Sequence, residues 1–402
     1  MAVVIKGSGS IEGSTGLEMG ANGTTEIRGQ VNVAVGSSVA GVSTATQFVP
    51  TTQQTGHRNM LINGACLIDQ RNGGSSVTSG YAVDRTHIEG FSGGGAATGQ
   101  QVSDAPSGFL SSLKITVTTA DGTLAAGDYY TLRQIIEGRN VTHLGFGAAG
   151  ASDVTLSFWV KGSVTGTYSV ALSNGSNNRG MSKEYTISSA GTWEYKTITF
   201  AGDTTGTWGT DTGRGFSVRW SMGVGSTRQA TAGSWSASEV HGSSNQTNMF
   251  ATNGATFQIT GLQLEAGSQA TPFEHQNYAD ELSRCYRYYY LHGPNDNSIT
   301  YSIVGTGMIG QNGSTTTAKV LIYLPIVMRT KPSVSVDVGS NEFKNDAGGT
   351  TADSTFGAIW SDASHNQAVW CDFAGGSSSN GTACMVYKRG SGGGILGFSS
   401  EM

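Results

Sequence analysis

Residues Ile259–Tyr290 read ITGLQLEAGSQATPFEHQNYADELSRCYRYYY, and three structural signals change within that stretch. Phe257, Ile259, Leu262 and Leu264 make a near period-two apolar run, the pattern of a strand with a buried face. A polar turn follows, and Pro272 blocks any helix from continuing across it. Asn277 is a good N-cap, with Asp280 as a favourable acid in the first turn. Leu282, Cys285, Tyr286 and Tyr289 then fall at i, i+3, i+4 and i+7, one apolar helical stripe with Arg284 and Arg287 off it. A helix this short is marginal alone in water. Its stripe must pack on a sheet of its own chain or on the same helix from neighbouring copies around an axis. The stretch reads as a joint between two β-rich segments.

Upstream of it, alternating runs recur from about Arg58. Leu113–Thr118, Tyr129–Ile136, Val154–Val160, Thr167–Leu172, Glu184–Ile187, Trp193–Phe200 and Phe216–Met222 read as strands, and Asn59–Gly64 as a strand with a turn. Turn chemistry at Asn174-Gly175, Ala190-Gly191 and Asp211-Thr212-Gly213 separates several of them. The spacing suits a β-sandwich of jelly-roll type. Downstream, Leu291–Met402 is again β-rich and reads as a second β-sandwich at the tip. Residues 1–55 stand apart: Val and Ile occur singly among glycines, too sparse to build a core within one chain, so an oligomeric stalk or docking segment is expected. The chain therefore divides as 1–55, 56–274, 275–290 and 291–402, an all-β protein with one short helix.

Composition excludes several classes. Sixty glycines and 13% charged residues would fit disorder, but 7 Trp, 14 Tyr and 14 Phe require packing. A net charge of −5 argues against a nucleic-acid partner. No run approaches the roughly 20 apolar residues of a membrane span, and MAVVIKGSGS lacks a signal-peptide core, so a chain made in a cytoplasm without membrane insertion is expected. Cys66, Cys285, Cys371 and Cys384 are scattered and read as buried thiols, with a Cys371–Cys384 hairpin bridge as the alternative.

No His, Cys or carboxylate spacing marks a metal site, no nucleophile elbow occurs, and no cofactor is expected; a structural Ca²⁺ on loop aspartates stays open. The candidate carboxylate pairs for acid/base work are Asp69 with Asp84, Asp203 with Asp211 and Asp353 with Asp362, for which loop solvation or pairing with Arg71 and Arg85 is the simpler reading. The chain is thus expected not to be an enzyme. Sugar rings stack on indole and phenol faces. Trp208 and Trp235 in polar loops, with Trp360, Trp370 and Tyr301 nearer the C-terminus, are the stacking candidates, whereas Trp159, Trp193 and Trp220 lie within or beside strands and are expected to pack the core.

Four stretches resemble the tail-fibre and virion structural proteins of bacteriophages. They are Asn59–Gly64 with Asp69-Gln70-Arg71 and Tyr81–Arg85; Ser157–Lys161 with Gly191–Tyr195; Ile259–Tyr290; and Tyr323–Val334. Thr86 stands where that family usually has Trp. The resemblance covers about residues 59–335 and implies a homotrimeric tail fibre. Its jelly roll would be similar to carbohydrate-binding modules, its N-terminal segment would dock to tail or baseplate proteins, and its distal domain would bind a host surface polysaccharide or lipopolysaccharide. Such a chain is assembled in the host cytoplasm and resides in the virion tail. Modules of this kind often hold Ca²⁺ through an acid on the last strand, where this chain has Thr260-Gly261. The alternatives are a tailspike-type polysaccharide depolymerase and a purely structural spacer or decoration protein.

Overall fold

The computed structural model describes residues 58–91, 94–292, 308–314, 317–337, 343–347, 350–359, 364–375, 383–388 and 395–402. The expected stalk, together with Tyr301 and Trp360, lies outside them. Strands β1 (Gly80–Val83), β2 (Thr86–Phe91), β3 (Ala96–Val102), β4 (Ser112–Thr119), β5 (Tyr129–Glu137), β6 (Val154–Gly162), β7 (Gly166–Asn174), β8 (Gly180–Ile187), β9 (Glu194–Phe200), β10 (Arg214–Val224), β11 (Gln229–Ala230), β12 (Gly242–Ser243) and β13 (Thr256–Ala266) build the first body. Two sheets, ordered β1-β2-β5-β10-β7-β8 and β3-β4-β13-β6-β9, face each other as a jelly-roll sandwich. The alternating runs explain the core. Leu113, Ile115 and Val117 of β4, Leu156, Phe158 and Val160 of β6, and Phe216, Val218 and Trp220 of β10 are buried between the sheets.

Two local expectations change. Asn59–Gly64 is not a strand. Asn59 instead inserts its side chain beside β13, its Nδ2 donating to the Leu262 carbonyl at 2.8 Å while its Oδ1 accepts from the Leu264 amide at 3.0 Å. A side-chain amide thus bonds to the backbone of β13 opposite the bulge between Thr260 and Gln263. Strand β13 also buries both faces: Gln258 and Thr260 are inside, bonded to Asp104 and to the Ala65 carbonyl, and Gln263 and Glu265 are inside because the chain after the strand folds back along it. The Thr271 amide donates to Glu265 Oε1 at 2.8 Å and the Glu274 amide to Gln263 Oε1 at 2.8 Å.

Helix α1 (Tyr278–Tyr286) starts as expected, with Asn277 Oδ1 accepting from the Ala279 amide at 2.9 Å. It ends before Tyr289, so the fourth member of the stripe is not helical. Tyr289 opens strand β14 (Tyr289–His292), which pairs with a strand near the far end of the chain. The tip continues through β15 (Met308–Ser314), β16 (Thr317–Tyr323), β17 (Ser333–Asp337), β18 (Phe343–Ala347), β19 (Thr350–Ile359), β20 (Ala368–Ala374), β21 (Ala383–Lys388) and β22 (Ile395–Ser399). In place of the expected second sandwich, β15-β16-β20-β19-β18-β21 closes as an antiparallel barrel, and β14-β22-β17 forms a separate sheet. Closure removes the free edges that an open sheet of this size would expose. All four cysteines are free and buried.

Candidate functional site

Among the described residues, the tip carries the most exposed large aromatic side chain, Tyr323. Val320 and Ile322 of β16 point into the barrel, which turns Leu321 and Tyr323 outward. On β20, Val369, Cys371 and Phe373 are buried and Trp370 faces out, directly opposite Leu321 in register. Tyr323 is 76% exposed. Trp370, half-buried, and Tyr323 line a groove of about 450 Å³ together with Pro325, Ile326, His365 and Gln367. The floor is held by the loops: the Leu324 amide donates to the Gln367 carbonyl at 2.9 Å and the Met328 amide to Asn366 at 2.8 Å. Aromatic faces beside an imidazole and a carboxamide can take the apolar face of a sugar ring and hydrogen-bond its hydroxyls.

Of the other expected stacking residues, Trp208 is 8% exposed and its ring lies against Phe146, Phe216 and Trp235 at centroid distances of 4.8, 5.1 and 5.4 Å. Trp235 is half-buried, its Nε1 donating to the Ala201 carbonyl at 3.0 Å. Both polar loops fold back onto the sandwich and spend these rings on packing. The expectation for Trp159 and Trp193 changes the other way. Phe158 and Val160 take the core face of β6, so Trp159 lies outside, tilted against the exposed Tyr195 at 5.4 Å. Trp193 sits 5.3 Å from the Lys161 ammonium, and its Nε1 donates to Asp104 at 3.3 Å. Of these three expected core tryptophans, Trp220 alone is in the core.

The joint is an intrachain seat. Leu282, Cys285 and Tyr288 pack with Ile62 and Ile68 of the jelly roll and Met402 of the tip. Tyr286, half-buried, meets Tyr290 edge-on at 5.1 Å. The residue of largest consequence here, Tyr288, lies off the helical stripe and carried no periodic signal; it is 1% exposed and donates its hydroxyl to Glu137 Oε1 at 2.7 Å. Glu137, fully buried at the end of β5, also accepts from Arg287 Nε and Nη2 at 2.6 and 2.8 Å. Burial alone would raise the Glu137 carboxyl; the Arg287 and Tyr288 hydrogen bonds outweigh it and hold it below the ordinary range. Arg287 reaches on to the tip, donating to the Val327 carbonyl at 3.2 Å, while its own carbonyl accepts from the Arg329 amide at 2.8 Å.

A second ionic group lies alongside. Glu401 accepts from Arg71 Nη2 at 3.2 Å and from Arg85, whose guanidinium stacks 3.5 Å from the centroid of the Tyr288 ring. Arg71 also reaches Asp84 at 3.3 Å. Burial pushes the Asp84 carboxyl up to about 6, more than Arg71 and Gln70 pull it down. Of the carboxylate pairs, Asp69 closes the Asn72–Gly74 turn and Asp203 binds Arg179 in a bidentate pair at 2.6 and 2.7 Å. Among the described residues no group of three His, Cys, Asp or Glu is placed to hold a metal.

No family model and no curated protein matches this sequence. Among solved structures the chain is similar to the enzymatically active domain of tailspike protein 4 of bacteriophage CBA120, at 12% identity over 53% of this chain and 22% of that one, with a TM-score of 0.29. It is also similar to TmCBM61 in complex with β-1,4-galactotriose, at 13% identity over 52% and 99% of the two chains, TM-score 0.26. A third likeness is to the family 11 carbohydrate-binding module of Clostridium thermocellum in complex with a β-1,3-1,4-mixed-linked tetrasaccharide, at 11% identity over 48% and 96%, TM-score 0.27. TM-scores this low leave function to be argued from this chain's own residues.

Proposed function

We propose that the chain is a non-catalytic glycan-binding protein of a phage tail, attaching the virion to a polysaccharide on the host surface. The observation that carries the reading is the groove beside Trp370 with Tyr323 exposed at its rim, on the barrel furthest in sequence from the proposed docking segment. The resemblance of Ile259–Tyr290 and Tyr323–Val334 to tail-fibre proteins supports the setting. In a homotrimer, three such grooves turn weak single-site binding into firm attachment through effective concentration. Residues 1–55 would meet the tail or baseplate, and the jelly roll would carry the tip.

Titration of the intact protein with host surface polysaccharide tests this. Tyr323→Ala and Trp370→Ala are each expected to weaken binding about 2- to 10-fold per site, the equivalent of about 0.5–1.5 kcal/mol for an aromatic contact. Unchanged binding in both variants would remove the groove from the reading. Release of reducing ends from the polysaccharide would make the protein a depolymerase, and a monomer by light scattering would end the avidity argument.

A further inference from the structure

The outer face of the five-stranded sheet carries a row of aromatic side chains. Phe158 and Val160 fill the core side of β6, so Trp159 stands outside, and register sets it between Tyr195 of β9 and Thr260 of β13. At Thr260 the row meets the β13 bulge, where Gly261 has φ +64° and no side chain. Phe109, from the loop between β3 and β4, fills that gap: a Cβ at Gly261 would lie 2.7 Å from its ring and 3.1 Å from that of Trp159. Beyond Phe109 the row continues to Phe273 at 5.0 Å, and from there to the exposed His275 at 4.9 Å. Tyr195, Trp159, Phe109 and Phe273 thus make one strip.

The strip is accessible and held in place. Leu110, next to Phe109 in the chain, is 76% exposed, and Tyr195 is 43% exposed. Of the five large apolar side chains exposed among the described residues, Tyr323 and Val327 line the tip groove, Tyr278 opens α1, and the other two are these. The loop that carries Leu110 is pinned on both sides. The Phe109 amide donates to the Pro106 carbonyl at 3.1 Å, Ser111 Oγ to the Cys66 carbonyl at 2.8 Å, and Ser112 Oγ to the Asp104 carbonyl at 2.6 Å. An apolar residue exposed singly needs no explanation, but a contiguous row on a fixed face marks a contact surface.

The polar groups beside the strip are spent on one another. Asp104 accepts from Lys161, from Gln258 Nε2 at 3.1 Å and from Trp193 Nε1 at 3.3 Å, and Glu194 accepts from Lys196 at 2.6 Å. A sugar needs free donors and acceptors at the edge of the rings. An apolar strip with a neutral, internally paired rim matches another protein surface instead. The path of the chain points to which one. Arg58, the first described residue, donates to the Pro272 carbonyl at 2.8 Å, and the Asn59 amide donates to Glu274 at 2.7 Å, so the chain enters the sandwich on either side of Phe273. The sequence before that entry, with Val and Ile set singly among glycines, is expected to need neighbouring copies of itself. Copies gathered there have the Phe273 ends of their strips nearest to one another.

We propose that a second copy of this chain docks on the strip, an inference that deepens the oligomeric part of the reading above and rests on it. Tyr195, Trp159, Phe109 and Phe273 would form the dry centre of the contact, and Leu110 would insert into the neighbouring copy. The Asp104–Lys161 and Glu194–Lys196 pairs would stay wet on its rim.

The test is hydroxyl-radical footprinting of the intact protein, with mass by light scattering measured on the same sample. In the oligomer, Leu110 and Tyr195 are expected to be modified about fivefold or more below Tyr323, the exposed ring at the tip, because a packed interface centre excludes water. Leu110→Glu places an unpaired charge in that centre and should open it, raising Tyr195 modification to within about twofold of Tyr323. Trp370→Ala should leave the protection intact, which keeps this outcome distinct from the fate of the tip groove. An oligomer whose strip reacts in proportion to its exposure overturns the docking alone, whereas a monomer overturns it together with the avidity argument. Two further results overturn it: protection of Tyr195 that appears only when polysaccharide is added, which would make a glycan the occupant, or protection that survives Leu110→Glu.

Discussion

Replacing Glu137 by Gln should uncouple the jelly roll from the tip. The carboxylate sits fully buried at the end of β5 and accepts three hydrogen bonds, from Arg287 Nε, Arg287 Nη2 and the Tyr288 hydroxyl, at 2.6, 2.8 and 2.7 Å. A carboxamide of the same shape keeps one acceptor and turns an NH₂ toward a donor, so about two charge-assisted bonds are lost. Each is worth about 1.5–3 kcal/mol. Arg287 remains 25% exposed and keeps the Val327 carbonyl, which offsets part of the loss. The expected net cost is about 2–4 kcal/mol, short of the upper end for breaking a fully buried ion pair. Equilibrium urea unfolding read by tryptophan fluorescence measures it, and a cycle with Arg287→Gln isolates the pair, with an expected coupling of about 1–3 kcal/mol. The folded pKa of Glu137 is depressed. Its stabilisation is therefore present above the unfolded carboxyl value and disappears as pH falls through the folded one, so the wild-type advantage over Glu137→Gln should shrink in acid. A cost under about 0.5 kcal/mol, or one that does not change with pH, would refute the clamp.

Two further outcomes follow from the same region. Asp84 has the opposite sign: its folded pKa is raised to about 6, so the stability linked to it is complete below the unfolded value and is lost as pH rises through 6. Asp84→Asn should therefore flatten the pH dependence of unfolding between about pH 4 and 7, a span worth on the order of 3 kcal/mol, and an unchanged profile would count against the assignment. At the seat itself, Tyr288→Ala should cost about 3–5 kcal/mol as a large buried side chain, whereas Tyr286→Ser, at a half-buried ring, should cost clearly less; the reverse order in thermal melts would put the coupling on the helical stripe after all.

How far the joint was legible shows where pattern reading stops. The N-cap at Asn277, the helix and the strand before it followed from spacing, because capping and amphipathic periodicity are local properties. What the stripe packs on was open between its own chain and neighbouring copies. Within the chain it meets Ile62, Ile68 and Met402, contacts whose sequence separations leave no periodic trace. Tyr288 falls off the stripe, and its weight comes from Glu137 151 positions away, a pairing created by strand β5 ending at the seat.

The aromatic candidates divide on the same ground. Trp370 lies outward because β20 alternates, and alternation can be read directly from residue order. Trp208 and Trp235 were placed by polar neighbours, which mark a loop but not its path; these loops fold back, burying the Trp208 ring and half-burying that of Trp235 against it.

By itself the amino-acid order determined the all-β class, the strand runs, the helix start and the division into a sandwich followed by a second β body, since each rests on hydrogen-bonding and burial patterns within a dozen residues. Only the tertiary structure decided that the second body closes as a barrel and that Asn59 bonds beside the β13 bulge. It also decided that Arg133 and Arg219, from two different strands, share Glu89 on the sheet face. Those facts depend on which strands become neighbours, and that is set by the packing of the whole chain rather than by any local preference.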